Sequence, residues 1–223
     1  MFDICTYDLS KLFWQRLIRL HAWDLDFVGK LLRAGRECET HRPGMANQTG
    51  SIPLSTALYL TLLAKHMGAR NVVEVGTFIG KSTMALAAGM QTGTISTCDA
   101  TNDAPAFGEM PVKINFNPKT TSTAMLRNLL KTPGHEADLF FFDGRLPPED
   151  AELVKALSGP RTVYAFDDYE GIEKGVSNAA MLRHKGLAVI YPPEQELLHP
   201  YGVADRSTLG LLVPVHLFQF TAQ

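Results

Sequence analysis

The sequence predicts an α/β fold in which helices cover both faces of a mainly parallel sheet. Short runs rich in β-branched and aromatic residues alternate with helical segments along most of the chain. This alternation implies right-handed crossovers between parallel strands. Residues 139–142 read Leu-Phe-Phe-Phe, and such a continuous apolar strand fits a sheet that is covered on both faces. With 223 residues, the chain is long enough for one such domain and a helical arm.

Composition and charge exclude several classes of protein. The 21 basic and 23 acidic residues give a formal net charge of −2, so the basic excess typical of nucleic-acid-binding proteins is absent. No apolar run reaches the ~18–20 residues of a membrane helix, and the first residues lack the layout of a signal peptide. Three scattered cysteines predict neither a disulfide framework nor a zinc site. We therefore expect a cytoplasmic protein without nucleic-acid or membrane partners.

The N-terminal residues predict a helical arm. A helix over about 9–36 is indicated by a stripe of apolar residues at three- to four-residue steps, namely Leu12, Trp14, Leu17, Leu20, Trp23, Phe27 and Leu31. A segment rich in Pro and Gly follows, so we divide the chain into an arm, residues 1–47, and an α/β domain, residues 48–223. The apolar stripe of the arm suits packing on the domain or on a second copy of the chain, which makes a homodimer through the arm one expected arrangement.

The remaining elements follow from hydrophobic periodicity and from the positions of Gly and Pro. Helices are predicted at 54–67, 81–90, 122–131, 148–157 and 172–184. Strands are predicted at 71–75, 94–98, 112–116, 137–142, 162–166, 187–191 and 209–213. In a sheet of this kind, ligands bind beyond the carboxyl ends of the strands.

Gly76 and Gly80 bracket the turn between the first predicted strand and the next helix. Glycine permits positive φ and lets a ligand approach the backbone, and the helix that follows offers free amide N–H groups. The spacing is not the GxGxxG of dinucleotide binders, and a P-loop would need one more residue between the glycines. The pattern predicts a ligand-binding turn, with a purely structural turn as the alternative.

Asp99 follows the second predicted strand, 19 residues after Gly80. An acidic residue at about this offset holds the ribose hydroxyls in nucleotide-binding α/β folds, because one carboxylate can accept hydrogen bonds from both hydroxyls. The alternative is an exposed loop residue without a ligand.

Three further carboxylates follow two neighbouring strands of the predicted sheet. Asp143 comes after the fourth strand, and Asp167 and Asp168 come after the fifth. Like charges at one edge of a sheet repel one another unless a cation compensates them. Carboxylate oxygens suit Mg²⁺, Mn²⁺ or Ca²⁺ rather than zinc. The alternative is that these residues serve as turn and cap residues.

These motifs resemble those of class I S-adenosylmethionine-dependent methyltransferases. Residues 71–83 are similar to the first motif of the catechol O-methyltransferase-like and caffeoyl-CoA O-methyltransferase-like branch. Residues 137–144 resemble the strand of that branch that ends in Asp-Gly, and residues 163–171 resemble the Asp-Asp-Tyr strand of macrocin-type sugar O-methyltransferases. The resemblance covers about residues 48–214.

The resemblance implies a Rossmann-like sheet of seven strands with an antiparallel last strand, and S-adenosylmethionine as cofactor. Asp99 would hold the ribose diol, and Ser82 would cap its helix or approach the methionine carboxylate. A divalent cation, Mg²⁺ or another ion of that charge, would be bound by Asp143, Asp167 and Asp168. The implied cofactor-binding residues are Glu74, Gly76, Thr77, Phe78, Gly80, Ser82, Asp99 and Asp143.

The chain departs from these families at the catalytic base. The catechol branch has a lysine three positions after the first metal-binding Asp, where this chain has Leu146. The macrocin type has an Asp two positions after it, where this chain has Arg145. We take Asp143 and Arg145 as candidate catalytic residues, with Arg145 binding an anionic group of the substrate or neutralising the local acids.

The expected function is metal-dependent O-methylation of a catechol, sugar or hydroxy acid. Four alternatives remain at this stage. They are a metal-independent N-methyltransferase, a nicotinamide-dependent dehydrogenase, an accessory protein of an antibiotic-pathway hydroxylase, and a non-catalytic protein with the methyltransferase fold.

Overall fold

The computed structural model describes residues 6–21, 51–104, 107 and 110–218. The helices in these ranges are α1 (Thr6–His21), α2 (Leu54–Met67), α3 (Lys81–Gly89), α4 (Ser122–Leu129), α5 (Asp150–Ala156) and α6 (Lys174–Leu182), with short 3₁₀ helices at Gln195–Tyr201 and Val215–Phe218. The strands are β1 (Asn71–Val75), β2 (Thr94–Asp99), β3 (Lys113–Pro118), β4 (Ala137–Phe142), β5 (Ser158–Phe166), β6 (Leu187–Ile190) and β7 (Gly210–Pro214).

The seven strands form one sheet in the order β3-β2-β1-β4-β5-β7-β6. Neighbouring strands from β3 to β5 pair in parallel. Strand β7 lies antiparallel to both of its neighbours, β5 and β6. The predicted fold class is therefore confirmed, including the antiparallel last strand. The chain order reverses beside β1, where doubly wound sheets bind their ligands.

The sheet is buried on both faces, and β4 shows why its sequence is almost entirely apolar. Leu139 and Phe141 belong to one core cluster, together with residues of α1, α2 and α3. Phe140 and Phe142 belong to the cluster on the opposite face, together with residues of α4, α5 and α6. Because side chains of a strand alternate between faces, a strand that is covered twice needs apolar residues at successive positions.

Helix α1 packs on the α/β domain. Trp14 is fully buried in the core cluster of the first face, and its Nε1 donates a hydrogen bond to the carbonyl of Tyr191 at 2.7 Å. The predicted stripe is wrong at Leu12 and Leu20, which are exposed, because they lie off the helix face that carries Trp14 and Leu17. The rest of the predicted helix, from residue 22 onward, lies outside the described residues, and the division at residue 47 stays a prediction.

Most predicted elements are confirmed with small shifts at their ends. The largest shift is in β5, which begins at Ser158 rather than at Thr162. A register irregularity between Ala137 and Leu139 of β4 lets β5 begin pairing at Ser158. None of the helices in the described ranges has the length and apolar character that crossing a bilayer requires.

Candidate active site

A cavity of about 690 Å³ opens at the carboxyl ends of the central strands. Its walls include Gly76 after β1, Asp99 at the end of β2 and Asp143 after β4. Its volume lies in the range of small-molecule sites. The structure thus brings together the glycine turn and two of the predicted acidic positions. The other lining residues are Val75, Cys98, Ala100, Thr120, Thr121, Ser122, Thr123, Arg127, Gly144, Arg145, Pro147 and Glu149.

The glycine turn adopts the backbone conformation that its sequence predicts. Gly76 has a φ of 99° and Gly80 a φ of 85°, values that side-chain-bearing residues rarely adopt. A Cβ on Gly76 would lie 3.0 Å from the backbone carbon of Asp143, so the turn packs closely against the end of β4. The amide of Gly76 donates to the carbonyl of Cys98 at 3.0 Å, which joins the turn to β2.

A small gap adjoins the cavity on the side of α3. It is about 10 Å³ in volume, and Asp143 lines both the gap and the cavity. Thr77, Phe78 and Ser82 therefore line the same gap as Asp143, and their cofactor role stays a prediction. Ser82 does not cap its helix, because the N-cap of α3 is Gly80 and has no side-chain hydrogen bond. The remaining lining residues are Ser51, Ile52, Ile79 and Lys81.

Glu74 lies behind the glycine turn and has no exposed surface. The hydroxyl of Thr83 in α3 donates to its Oε2 at 2.5 Å, while Oε1 is buried without a hydrogen-bond partner among the described residues. Burial raises the pKa of Glu74, and nearby hydroxyl groups only partly offset this effect. Glu74 is not among the described residues that line the cavity or the gap, so it supports the turn from behind.

Asp99 shapes the turn as well as the cavity. Its Oδ2 accepts a hydrogen bond from the amide of Phe78 at 2.7 Å. Its Oδ1 accepts from the amide of Thr101 at 2.8 Å and from the hydroxyl of the same residue at 2.9 Å. The predicted contact of Asp99 with a ribose stays a prediction, but its carboxylate is held at the cavity wall by these three donors.

Three carboxylates meet beside the cavity, and we call Asp143, Asp167 and Asp168 the acidic cluster. One oxygen from each lies within 4.8 Å of the others. Burial raises the pKa of Asp143 to about 7, and the charge of Asp167 adds to this effect. Burial, followed by the charge of Asp168, also raises the pKa of Asp167. The hydroxyl of Thr208 donates to Asp167 Oδ1 at 3.0 Å.

Lys174 completes this cluster, and the sequence analysis missed it. Its Nζ lies 2.8 Å from Asp143 Oδ1 and 2.8 Å from Asp168 Oδ2. Burial alone would lower the pKa of Lys174, but the hydrogen bonds and charges of the two aspartates raise it overall. The signal in the sequence was a lysine at the start of a helix, where a positive charge is unfavourable unless acids compensate it.

Arg145 and Leu146 follow Asp143 and differ in environment. Arg145 is exposed and lines the cavity, so its predicted substrate contact stays open. Leu146 is buried in the core cluster of the second face. The position at which the catechol branch carries its lysine is therefore part of the hydrophobic core here.

The threonine- and serine-rich segment after β3 is a further part of the site that was not predicted from the sequence. Thr120, Ser122 and Thr123 line the cavity. The fully buried Asp150 of α5 accepts hydrogen bonds from the hydroxyls of Ser122 at 2.5 Å and Thr123 at 2.6 Å. Thr121, which accepts a hydrogen bond from the amide of Ala124 as the N-cap of α4, was the available signal for a helix start there.

The strand order, the glycine turn and the cavity at the strand ends define a Rossmann-like α/β fold of the class I methyltransferase type. Residues 29–144 match the sequence profile of the O-methyltransferase family, which is more than half of the chain. The chain belongs to this O-methyltransferase family. No curated protein sequence matches the chain.

Solved structures support the same fold. The O-methyltransferase from Bacillus cereus in complex with S-adenosylhomocysteine is 16% identical, with a TM-score of 0.55 over 83% of this chain and 90% of that chain. TomG from Streptomyces achromogenes, in complex with S-adenosylmethionine, is 17% identical, with a TM-score of 0.52 over 84% and 88%. Methyltransferase PaMTH1 from Podospora anserina is 14% identical, with a TM-score of 0.51 over 82% and 87%.

Proposed function

We propose that this chain transfers a methyl group from S-adenosylmethionine to a hydroxyl oxygen of a small molecule. The observation that carries this proposal is the cavity at the strand ends, because it joins the glycine turn, Asp99 and Asp143 in one space. Gly76 and Asp99 would hold the cofactor in this cavity, and Asp143 lines the same space. Membership of the O-methyltransferase family supports oxygen rather than nitrogen as the acceptor.

The residues around the turn are of the chemical types that would bind S-adenosylmethionine. Gly76 lines the cavity without a side chain, both Gly76 and Gly80 supply the positive φ that the turn needs, and Asp99 offers a carboxylate for a ribose diol. The Bacillus cereus and Streptomyces achromogenes relatives bind S-adenosylhomocysteine and S-adenosylmethionine, respectively, in their solved structures. The residues predicted for this cofactor are Glu74, Gly76, Thr77, Phe78, Gly80, Ser82, Asp99 and Asp143, and we propose that the buried Glu74 acts only by supporting the turn.

S-adenosylmethionine supplies an electrophilic methyl group on a sulfonium sulfur. In the proposed reaction, the acceptor oxygen forms a bond to this carbon as the carbon–sulfur bond breaks, and the acceptor proton leaves to a base. Asp143 lines both the cavity and the small gap beside α3. Its pKa, which burial raises to about 7, suits a general base at neutral pH. Arg145 at the cavity wall would bind an anionic group of the acceptor. The enzyme's main task is to align the acceptor with the methyl group.

The predicted divalent cation, with Asp143, Asp167 and Asp168 as its ligands, stays a prediction. Three carboxylate oxygens are ligands that Mg²⁺ accepts. The ammonium group of Lys174 already lies against two of them, so the cluster in this arrangement does not fit a second cation. We derive no step of the reaction through a metal ion. A cytoplasmic location and a homodimer through the N-terminal arm also remain predictions.

Calorimetric titration with S-adenosylmethionine tests the cofactor site. We expect binding by the wild type and a loss of about tenfold or more in affinity for Asp99→Asn, because the amide cannot accept hydrogen bonds at both of its ends. The exposed Glu152→Gln of α5 is the matched control and should bind as the wild type does. Absence of binding by the wild type would contradict the proposal.

A second assay follows the transfer of labelled methyl groups from S-adenosylmethionine to panels of catechols, sugars, hydroxy acids and amines. We expect transfer to at least one class of hydroxyl acceptor and its loss in Asp143→Asn. Transfer to amines alone would favour the N-methyltransferase alternative. Cofactor binding without transfer to any panel would leave the non-catalytic alternative as the better account.

A further inference from the structure

Lys174 lies between two of the three carboxylates of the acidic cluster. Its Nζ is 2.8 Å from Asp143 Oδ1 and 2.8 Å from Asp168 Oδ2. The remaining carboxylate, that of Asp167, accepts a hydrogen bond from Thr208 at 3.0 Å. Each of the three acids therefore has a donor from the chain itself, and Lys174 bridges two of them.

The backbone of α6 holds Lys174 in this place. A Cβ on the next residue, Gly175, would lie 2.1 Å from the carbonyl oxygen of Asp167, so the first turn of α6 is in direct contact with the end of β5. Asn178, one turn further along α6, donates to the carbonyl of Gly144 at 2.8 Å. The helix that carries Lys174 is thus attached to both strand ends that carry the acidic cluster.

Charge favours the lysine at this site, and contact with its ammonium group disfavours a further cation on the same oxygens. Lys174 is the first residue of α6, where the helix dipole opposes a positive charge, and the two ion pairs offset that cost. Three carboxylates and one ammonium leave a formal charge of −2 when all are ionised. A divalent ion on the same oxygens would lie in contact with the ammonium, and the repulsion at such a distance is large in a partly buried site.

The geometry points to Lys174 as the resident cation of the acidic cluster, in the position where the family resemblance places a divalent metal ion. Lys174 joins the ends of β4 and β5 through Asp143 and Asp168, and it excludes a divalent ion from these carboxylates. It acts as a positioning residue that keeps Asp143 where the cavity and the small gap beside α3 meet. A role of Lys174 in the reaction rests on the proposed function. The competition between the Lys174 ammonium and a divalent ion is a property of the cofactor-free protein.

Titration of Mn²⁺ into the cofactor-free protein tests this inference, with free Mn²⁺ followed by its electron paramagnetic resonance signal. Lys174→Met removes the ammonium and keeps a side chain of similar length. We expect Lys174→Met to bind Mn²⁺ about tenfold or more tightly than the wild type. Adding Asp168→Asn to this variant should abolish the gain. Lys155→Met removes an exposed lysine from another ion pair and should bind Mn²⁺ as the wild type does.

Equal affinity for Mn²⁺ in the wild type and Lys174→Met would overturn the inference, whether both bind tightly or neither binds. If Lys174→Met does not fold, Lys174→Gln provides an uncharged side chain that can still hydrogen-bond, and the same comparison applies. The same samples are titrated with S-adenosylmethionine in EDTA and in Mn²⁺. Failure of the wild type to bind the cofactor in both would contradict the proposed function and leave the Mn²⁺ comparison valid.

Discussion

Glu74 is a carboxylic acid that is fully buried, so ionisation of its side chain is opposed by the loss of contact with water. It has no exposed surface, and one of its oxygens has no hydrogen-bond partner among the described residues. Desolvation disfavours a charged carboxylate, which is why burial raises the pKa of Glu74. The family resemblance indicated Glu74, but its burial depends on α3 packing over the end of β1.

A pH series on Glu74→Gln tests this account. A raised pKa in the folded state means that the carboxyl contributes most to stability below its ordinary pKa of 4.5. That contribution is lost as the pH rises through the folded-state value. The glutamine cannot ionise and Oε1 of its amide can still accept from Thr83, so we expect the variant to gain stability relative to the wild type as the pH rises.

Urea unfolding of both proteins between about pH 4 and pH 8 measures this difference. A constant difference in the free energy of unfolding across that range would show that the pKa of Glu74 is the same in the folded and unfolded states.

At the scale of single elements, the turn after β1 combines a backbone conformation that favours glycine with a close contact. Gly76 needs a φ of 99°, and a Cβ there would approach the backbone of Asp143 and Gly144 at 3.0 and 3.1 Å. Gly68, which ends α2, has a φ of 59° but nothing within 4 Å of an added Cβ. The two glycines share the left-handed backbone and differ in what surrounds them, so they form a matched pair.

We expect Gly68→Ala to cost about 1–2 kcal/mol of stability, because a Cβ is unfavourable in the left-handed region, and to leave cofactor binding unchanged. Gly76→Ala should cost at least as much and also weaken S-adenosylmethionine binding about tenfold or more. Urea unfolding and calorimetry measure the two quantities. Equal cofactor affinity in both variants would mean that the turn after β1 is structural only.

Helix α1 offers a second contrast within one element. Trp14 is fully buried, donates to the carbonyl of Tyr191 and packs edge-on against Tyr59 at a ring distance of 4.8 Å. Leu12, two residues away, is 54% exposed. The apolar spacing predicted the helix, but it did not show which apolar residues would meet the sheet.

Replacement by alanine at these two positions should separate their roles. Trp14→Ala is expected to cost about 3–5 kcal/mol of stability, through lost burial and the cavity that remains. Leu12→Ala should stay within about 0.5 kcal/mol of the wild type, as for other surface positions. Chemical denaturation of the two variants checks both values, and a similar loss at both positions would contradict the packing of α1 described here.

For the whole molecule, one question is whether the described part of the N-terminal region unfolds with the α/β domain. Core residues of α1 belong to the same hydrophobic cluster as residues of α2, β1, β4, β6 and β7. A helix that shares its buried surface with the sheet should lose its structure when the sheet does. The arm predicted as a separate unit would then be part of one cooperative fold, at least as far as His21.

Trp14 reports on this directly once Trp23, the second of the two tryptophans, is replaced by phenylalanine. In Trp23→Phe, tryptophan fluorescence follows α1, and far-UV circular dichroism follows the whole chain. We expect the two transitions in urea to coincide, as in two-state unfolding. A fluorescence transition at clearly lower urea concentration would show that α1 detaches before the sheet unfolds.

The sequence by itself determined the order of elements, the mainly parallel sheet, the glycine turn and the positions of Asp99, Asp143, Asp167 and Asp168 at strand ends. These features depend on local patterns: apolar periodicity, glycine at fixed offsets, and the residue that follows a strand. Each can be recognised within a window of a few residues, and the strand ends then share one edge of the sheet because parallel strands run in the same direction.

Only the tertiary structure decided which groups surround these acids. Lys174 reaches Asp143, 31 positions earlier in the chain, because Gly175 lets α6 contact the end of β5 and Asn178 ties it to the end of β4. Tertiary packing also buried Leu146 and left Leu12 exposed. Such contacts arise from how separate elements pack, and local sequence patterns do not specify which side chains of different elements come into contact.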